Sequence, residues 1–344
     1  MDQTNKRYDG LYFCIFLIIC VAPIVGFRDY TVGSDTPAYA RHIADYLAGY
    51  RGNSKAWEPG IYALASISGI FSKSPQVFFT FHFVLLASVM LFAYRNFVKD
   101  NKYLSINFQL ITFTIFMFFS KWFLTAATNN LRQSMALAFI FLGISYYKKS
   151  NFKMLLGILA GLLWHISALL VIPFLIFIRF NVNFVLFTTL SFAFLYVTGL
   201  NGPIIEFMSN TLGIPLYEFI LYYAESEKYV GFQPNFFIYT IFWPMFVWGI
   251  NNILSYKNTI SFTSFFKSNE MIFKIYLVLT MSYFIFGFGP YVTRYSYPAW
   301  LFLPFLFTFY FSSISIRRDQ KKSFALIFLP VAISYFLYLV IGGY

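Results

Sequence analysis

Uncharged apolar runs recur along the whole chain, and they restrict what it can become more than any motif does. Residues 76–94, QVFFTFHFVLLASVMLFAY, contain no Asp, Glu, Lys or Arg. A helix of about 20 apolar residues is what a hydrocarbon core of about 30 Å requires. Comparable stretches lie at 11–27, 103–120, 132–147, 154–164, 166–178, 184–199, 235–254, 272–288, 296–313 and 324–341. Only 11% of the 344 residues are charged and 59% are hydrophobic, against about 25% charged in a soluble domain. The expected fold class is therefore all-α: a polytopic membrane protein of about eleven transmembrane helices, some of them short. Outer-face amphipathic helices are expected beside these, and residues 1–344 form a single integral membrane domain.

Charge orients the chain. The formal net charge of +12 fits positive cytoplasmic loops rather than nucleic acid, because lysine and arginine gather on the inner side of membrane proteins. With the N-terminus inside, most of the 25 lysines and arginines fall on that side, including Arg95, Lys99, Lys102, Lys148, Lys149, Lys153 and the run Arg317 to Lys322. Two segments decide the parity. Residues 59–71 are too short to cross and are read as a helix along the outer surface. Residues 154–178 are read as a tight hairpin of two short helices, which keeps both basic groups inside. Cys14 and Cys20, both in the first apolar run, are too few for a disulfide framework or a zinc site. The run after Lys6-Arg7 lacks a small-x-small cleavage pattern and reads as a retained first span.

This topology puts four polar segments on the outer face: 28–58, 121–131, 200–234 and 289–295. An ionisable group within a membrane segment is costly and marks a functional candidate. Arg132 opens one apolar run and His165 interrupts another, with the basic loop Lys148 to Lys153 between them. Arg132 either snorkels to the interface or binds an anion at a helix N-terminus. His165 either bonds a neighbouring backbone group or carries chemistry. Asp35 reads as a helix cap or a proton acceptor, and Glu58 before Pro59 as a charge favourable to a helix dipole or a functional acid. Arg28 and Arg294 complete the outer-face arginines. His42 and His82 receive no catalytic role. No nucleotide loop, no HExxH and no acidic cluster for a divalent metal is evident, so a phosphate-bearing substrate would be held by arginines, with neither metal nor cofactor. On that face a lipid-diphosphate sugar donor is available and nucleotide sugars are not.

Arg28…Gly33-Ser34-Asp35…Tyr39, Trp57-Glu58-Pro59-Gly60, Leu131-Arg132-Gln133-Ser134-Met135-Ala136, His165-Ile166-Ser167-Ala168-Leu169 and Arg294-Tyr295 stand in this order across nearly the whole chain. The ordered set resembles the EpsG-like branch of Wzy-type polysaccharide polymerases. The resemblance implies a bacterial inner-membrane protein with a fold similar to the lipid-dependent (GT-C) glycosyltransferases. It implies transfer of a growing O-antigen or capsule glycan from undecaprenyl diphosphate to a sugar hydroxyl of an incoming lipid-linked unit, on the periplasmic face. On this resemblance Arg132, Arg294 and Arg28 bind the diphosphate, and Asp35 or His165 is the base. Glu58 orients the acceptor or Arg28, while Tyr39, Arg41, Gln133 and Tyr295 contact substrate. Residues 28–75 become the first periplasmic segment; 200–234, the main periplasmic loop, matches no motif of the family, and its tyrosines and glutamates read as a glycan-binding lid. A chain-length regulator is an expected partner. A ligase or another lipid-linked glycosyltransferase would use the same arginines. A flippase would instead spread charge through many spans and relate two halves by a repeat.

Overall fold

The structure is a computed structural model of the whole chain that describes residues 9–50, 57–99, 105–221, 230–257 and 260–315. The last expected span 324–341, the run Arg317 to Lys322, and Lys6, Arg7, Arg51, Lys55, Lys102, Glu225, Glu227 and Lys228 lie outside the described residues. Every regular element among the described residues is helical. The chain forms two compact units, Met1–Leu169 and Leu170–Tyr344.

The first unit is built around α4 (Pro75–Val98), against which α1 (Asp9–Gly26), α5 (Ile106–Phe118) and α7 (Leu131–Ile144) pack. Ser74 caps α4 by accepting from Gln76 N at 3.3 Å, and Pro75 supplies the preset φ of a first helical residue. α4 is apolar on all sides and correspondingly enclosed, with Phe78, Phe79, Phe83, Leu86 and Met90 fully buried. α8 (Asn151–Leu162) lies so close to α7 that a Cβ on Gly157 would stand 2.5 Å from Gly143 Cα, and one on Gly161 2.8 Å from Ala136 O. Gly157 and Gly161 form the small-xxx-small spacing by which apolar helices approach closely.

Shorter elements surround this core. α2 (Thr36–Leu47) buries Thr36, Tyr39, Ala40 and Ile43 and leaves Arg41 and Asp45 exposed, the two-faced helix expected there. α3 (Pro59–Gly69) is as short as its sequence requires. α6 (Lys121–Thr128) follows α5 at a bend of 67°.

The second unit centres on α13 (Ile260–Phe286), packed against α9 (Val182–Val197), α14 (Thr293–Leu301) and α15 (Leu303–Ser315). Its aromatic residues are tied by hydrogen bonds. Trp300 Nε1 donates to Thr240 Oγ1 at 3.0 Å, and Tyr276 OH to Thr240 O on α12 (Pro234–Lys257) at 3.1 Å. Between α9 and α12 stand α10 (Asn201–Leu212), bent 98° from α9, and α11 (Leu216–Leu221).

By length and composition together, Pro75–Val98 is the described helix that qualifies to cross a membrane, or up to three spans qualify if each bent pair counts as one. The apolar stretches Gly10–Gly26, Leu131–Ile144, Asn151–Leu162 and Ile166–Arg179 are shorter, at 10–17 residues. One expected helix has a different form: residues 166–178 are 3-10 helix, at Ile166–Leu170 and Ile172–Arg179. Pro173 has no N–H to donate back to Leu169 O, so the run is interrupted at Val171 rather than continuing as one helix.

Candidate functional site

The first unit gathers Tyr39, Trp57, Glu58, Arg132 and His165 from four separate stretches of sequence. The approach that brings them together depends on Gly60. Its N–H donates to Leu163 O at 2.9 Å, and a Cβ there would stand 2.8 Å from the Trp164 ring. Only a glycine lets the start of α3 dock this closely on the turn that carries His165.

Glu58 occupies the N-cap position of α3, with φ −68° and ψ 150°, yet its carboxylate makes no capping bond. It is directed at Arg132: Oε2 accepts from Nη1 at 2.8 Å. Its other oxygen stands 4.0 Å from His165 Nε2. The side chains of Arg132 and Glu58 are 27% and 20% exposed, so the pair is shielded but reachable. Arg132 also hydrogen-bonds Tyr39 and lies over the Trp57 ring at 4.9 Å, while its Nε is buried without a hydrogen-bond partner. Ser167 N–H donates to His165 Nδ1 at 3.0 Å. The neutral ring therefore carries its proton on Nε2, the nitrogen that faces Glu58.

Aromatic residues fix this arrangement from behind. His42 stacks on Trp57 with ring centroids 3.6 Å apart, and its Nε2 shares a hydrogen with Tyr62 OH at 3.1 Å. Tyr62 OH accepts the Trp57 N–H at 3.0 Å, and Tyr39 meets Trp57 edge-on at 5.0 Å. Burial, and then the Arg132 charge, hold His42 below the ordinary histidine range. Burial raises the Tyr39 hydroxyl.

Arg28 and Asp35 form a neighbouring arrangement. Arg28 donates to Val25 O at 2.8 Å and Thr128 O at 2.9 Å and stacks on Phe79 at 4.6 Å. Burial lowers its guanidinium to about 10, still charged at neutral pH. Gly33 adopts φ +93°, and a Cβ there would meet Thr128 O at 3.0 Å. Asp35, at the N-cap of α2, makes no side-chain capping bond. Its N–H donates to Asn129 Oδ1 at 2.7 Å, and its exposed carboxylate accepts from Ser34 Oγ at 3.3 Å. The first motif is thus fastened onto Thr128-Asn129, just before Arg132.

The remaining candidates are dispersed. Arg41 is exposed on α2, and Gln133 is half-buried next to Arg132 in the sequence of α7. Arg294 and Tyr295 belong to the second unit. Arg294 is exposed over the ring of Tyr291 at 4.5 Å, and Tyr291 has the uncommon φ of 55° for a residue with a side chain. Tyr295 is buried, its carbonyl accepting from Ser282 Oγ at 3.1 Å. Sequence reasoning passed over the supports, His42 and Tyr62; nothing in their local sequence shows which rings they meet.

What this arrangement offers chemically is a guanidinium able to hold an anion, paired with a carboxylate that itself faces an imidazole N–H. Comparisons with curated proteins and with solved structures give no match. The EpsG family matches residues 11–343, almost the entire sequence. The chain belongs to the EpsG family, Wzy-type polymerase-like membrane proteins of polysaccharide biosynthesis.

Proposed function

We propose that the protein polymerises lipid-linked repeat units on the periplasmic face of the bacterial inner membrane, through about eleven spans arranged as in GT-C transferases. The observation that carries this reading is the Arg132–Glu58 pair at 2.8 Å with His165 Nε2 at 4.0 Å from the same carboxylate. An incoming diphosphate takes the Arg132 guanidinium, whose fork suits phosphate oxygens, and Glu58 is released. The acceptor hydroxyl oxygen attacks the anomeric carbon of the donor sugar. The bond from that carbon to the diphosphate oxygen breaks, and undecaprenyl diphosphate leaves with the electron pair. The hydroxyl proton passes to the freed Glu58 carboxylate, which His165 Nε2–H orients. Arg132 stabilises the charge that grows on the departing diphosphate. Asp35 is an alternative base in this account, and a chain-length regulator a partner.

A strain lacking the gene, complemented with wild type or with Arg132→Ala, Glu58→Gln, His165→Ala, Asp35→Asn or Arg294→Ala at matched membrane expression, tests the reading by its surface-glycan ladder. Single-unit glycan in the deletion strain and a ladder restored by wild type, but not by Arg132→Ala, is the expected result. Loss of all surface glycan, single unit included, would favour a ligase or a flippase.

A further inference from the structure

His82 lies in the N-terminal third of the apolar α4 and is wholly buried. Its Nε2 stands 3.0 Å from Leu131 O. A carbonyl only accepts, so Nε2 carries the hydrogen, and the Nδ1 of the neutral ring is left bare. That nitrogen is buried without a hydrogen-bond partner. The ring also meets Trp164 edge-on, with centroids 6.2 Å apart at 69°.

Each contact leads to the site within one or two residues. Leu131 precedes Arg132. Trp164 precedes His165, and its ring is the surface on which Gly60 docks, two residues after Glu58. One imidazole therefore touches the segments of Arg132 and His165 directly and reaches that of Glu58 through the Trp164 ring. A phenylalanine would fill the same space without burying a bare nitrogen, which costs free energy. Packing alone does not account for a histidine here; its N–H does.

We infer that His82 is a positioning residue: its Nε2–H, bonded to Leu131 O, sets the first turn of α7 so that Arg132 meets Glu58. The inference rests on the reading of Arg132, Glu58 and His165 as the transfer site, but its test has a readout independent of transfer. Full-length protein purified in detergent, as wild type, His82→Phe, His82→Gln and His82→Asn, is treated with phenylglyoxal. Modification of Arg132 is followed by mass spectrometry, alongside the melting temperature. Glutamine carries an N–H at about the reach of Nε2, whereas asparagine is too short.

The expected result is that His82→Phe melts at or above the wild-type temperature while Arg132 is modified about tenfold faster, as the pair loosens. His82→Gln restores protection and His82→Asn does not. The same order should appear in the glycan ladder of complemented cells. Wild-type protection of Arg132 in a folded His82→Phe protein overturns the inference, as does equal behaviour of the glutamine and asparagine variants. A full ladder from Arg132→Ala would instead refute the functional reading, and phenylglyoxal protection would still decide the role of His82.

Discussion

Glu58→Gln separates the charge of the carboxylate from its hydrogen bonding. Glutamine keeps an oxygen that can accept from Arg132 Nη1, now 2.8 Å from Glu58 Oε2, and removes only the negative charge. Two unit charges about 4 Å apart attract by about 4 kcal/mol at an effective dielectric constant of about 20. The side chains are 27% and 20% exposed, so screening reduces the net effect to between the ~0–1 kcal/mol of surface pairs and the ~3–5 kcal/mol of broken buried ones. A value near 1.4 kcal/mol corresponds to about tenfold in affinity. The account places a diphosphate in competition with Glu58 for Arg132. Glu58→Gln is therefore expected to bind inorganic pyrophosphate about tenfold more tightly, and to elongate glycan about 10²–10⁴-fold more slowly for want of its proton acceptor. Calorimetric titration of the purified full chain with pyrophosphate measures the first, and the surface-glycan ladder the second. Unchanged or weaker pyrophosphate binding refutes the competition, and normal elongation refutes the role of Glu58 as proton acceptor.

Three further outcomes follow from the same geometry. Gly60→Ala drives a methyl against the Trp164 ring at 2.8 Å; it should cost about 1–3 kcal/mol in melting experiments and lower elongation about 100-fold as Glu58 and His165 part. Arg28→Ala removes donors to Val25 O and Thr128 O; it should destabilise the protein yet leave pyrophosphate affinity within about twofold, since the first unit commits that guanidinium to carbonyls. A stable Arg28→Ala protein that no longer binds pyrophosphate would make Arg28 a ligand. His42 is held below its ordinary value of about 6.5, so the folded state binds fewer protons than the unfolded one. Stability is full above that ordinary value and declines as pH falls below it toward the folded value. Melting temperatures across this range should show the decline in wild type and a smaller one in His42→Phe.

Much of the helical layout is legible because apolar runs and helix starters are local signals. Residues 76–94 appear within Pro75–Val98, and 59–71 as Pro59–Gly69, each opened by a proline at its first position. The break expected within 154–178 falls at the end of α8, Leu162, just before His165. Other features are set by tertiary contacts that no window of sequence contains. The 67° bend between α5 and α6 and the 3-10 stretch Ile172–Arg179 are of this kind. The site follows the same division. Arg132 and His165 stand out because ionisable groups are rare in apolar runs. The partner of Glu58 does not: sequence pointed to the acceptor or to Arg28, whereas the carboxylate pairs with Arg132, 74 positions away. The partner of His82 is equally hidden from sequence, because its acceptor, Leu131 O, lies 49 positions on.

The most direct test of the central claim is reconstitution. Purified full-length protein is given a lipid-diphosphate-linked oligosaccharide as both donor and acceptor, and the joined glycan and the released lipid diphosphate are quantified together. The account predicts one undecaprenyl diphosphate released for each new glycosidic bond, with both lost in Arg132→Ala. Release of lipid diphosphate without a new bond, or elongation undiminished in Arg132→Ala, would contradict it.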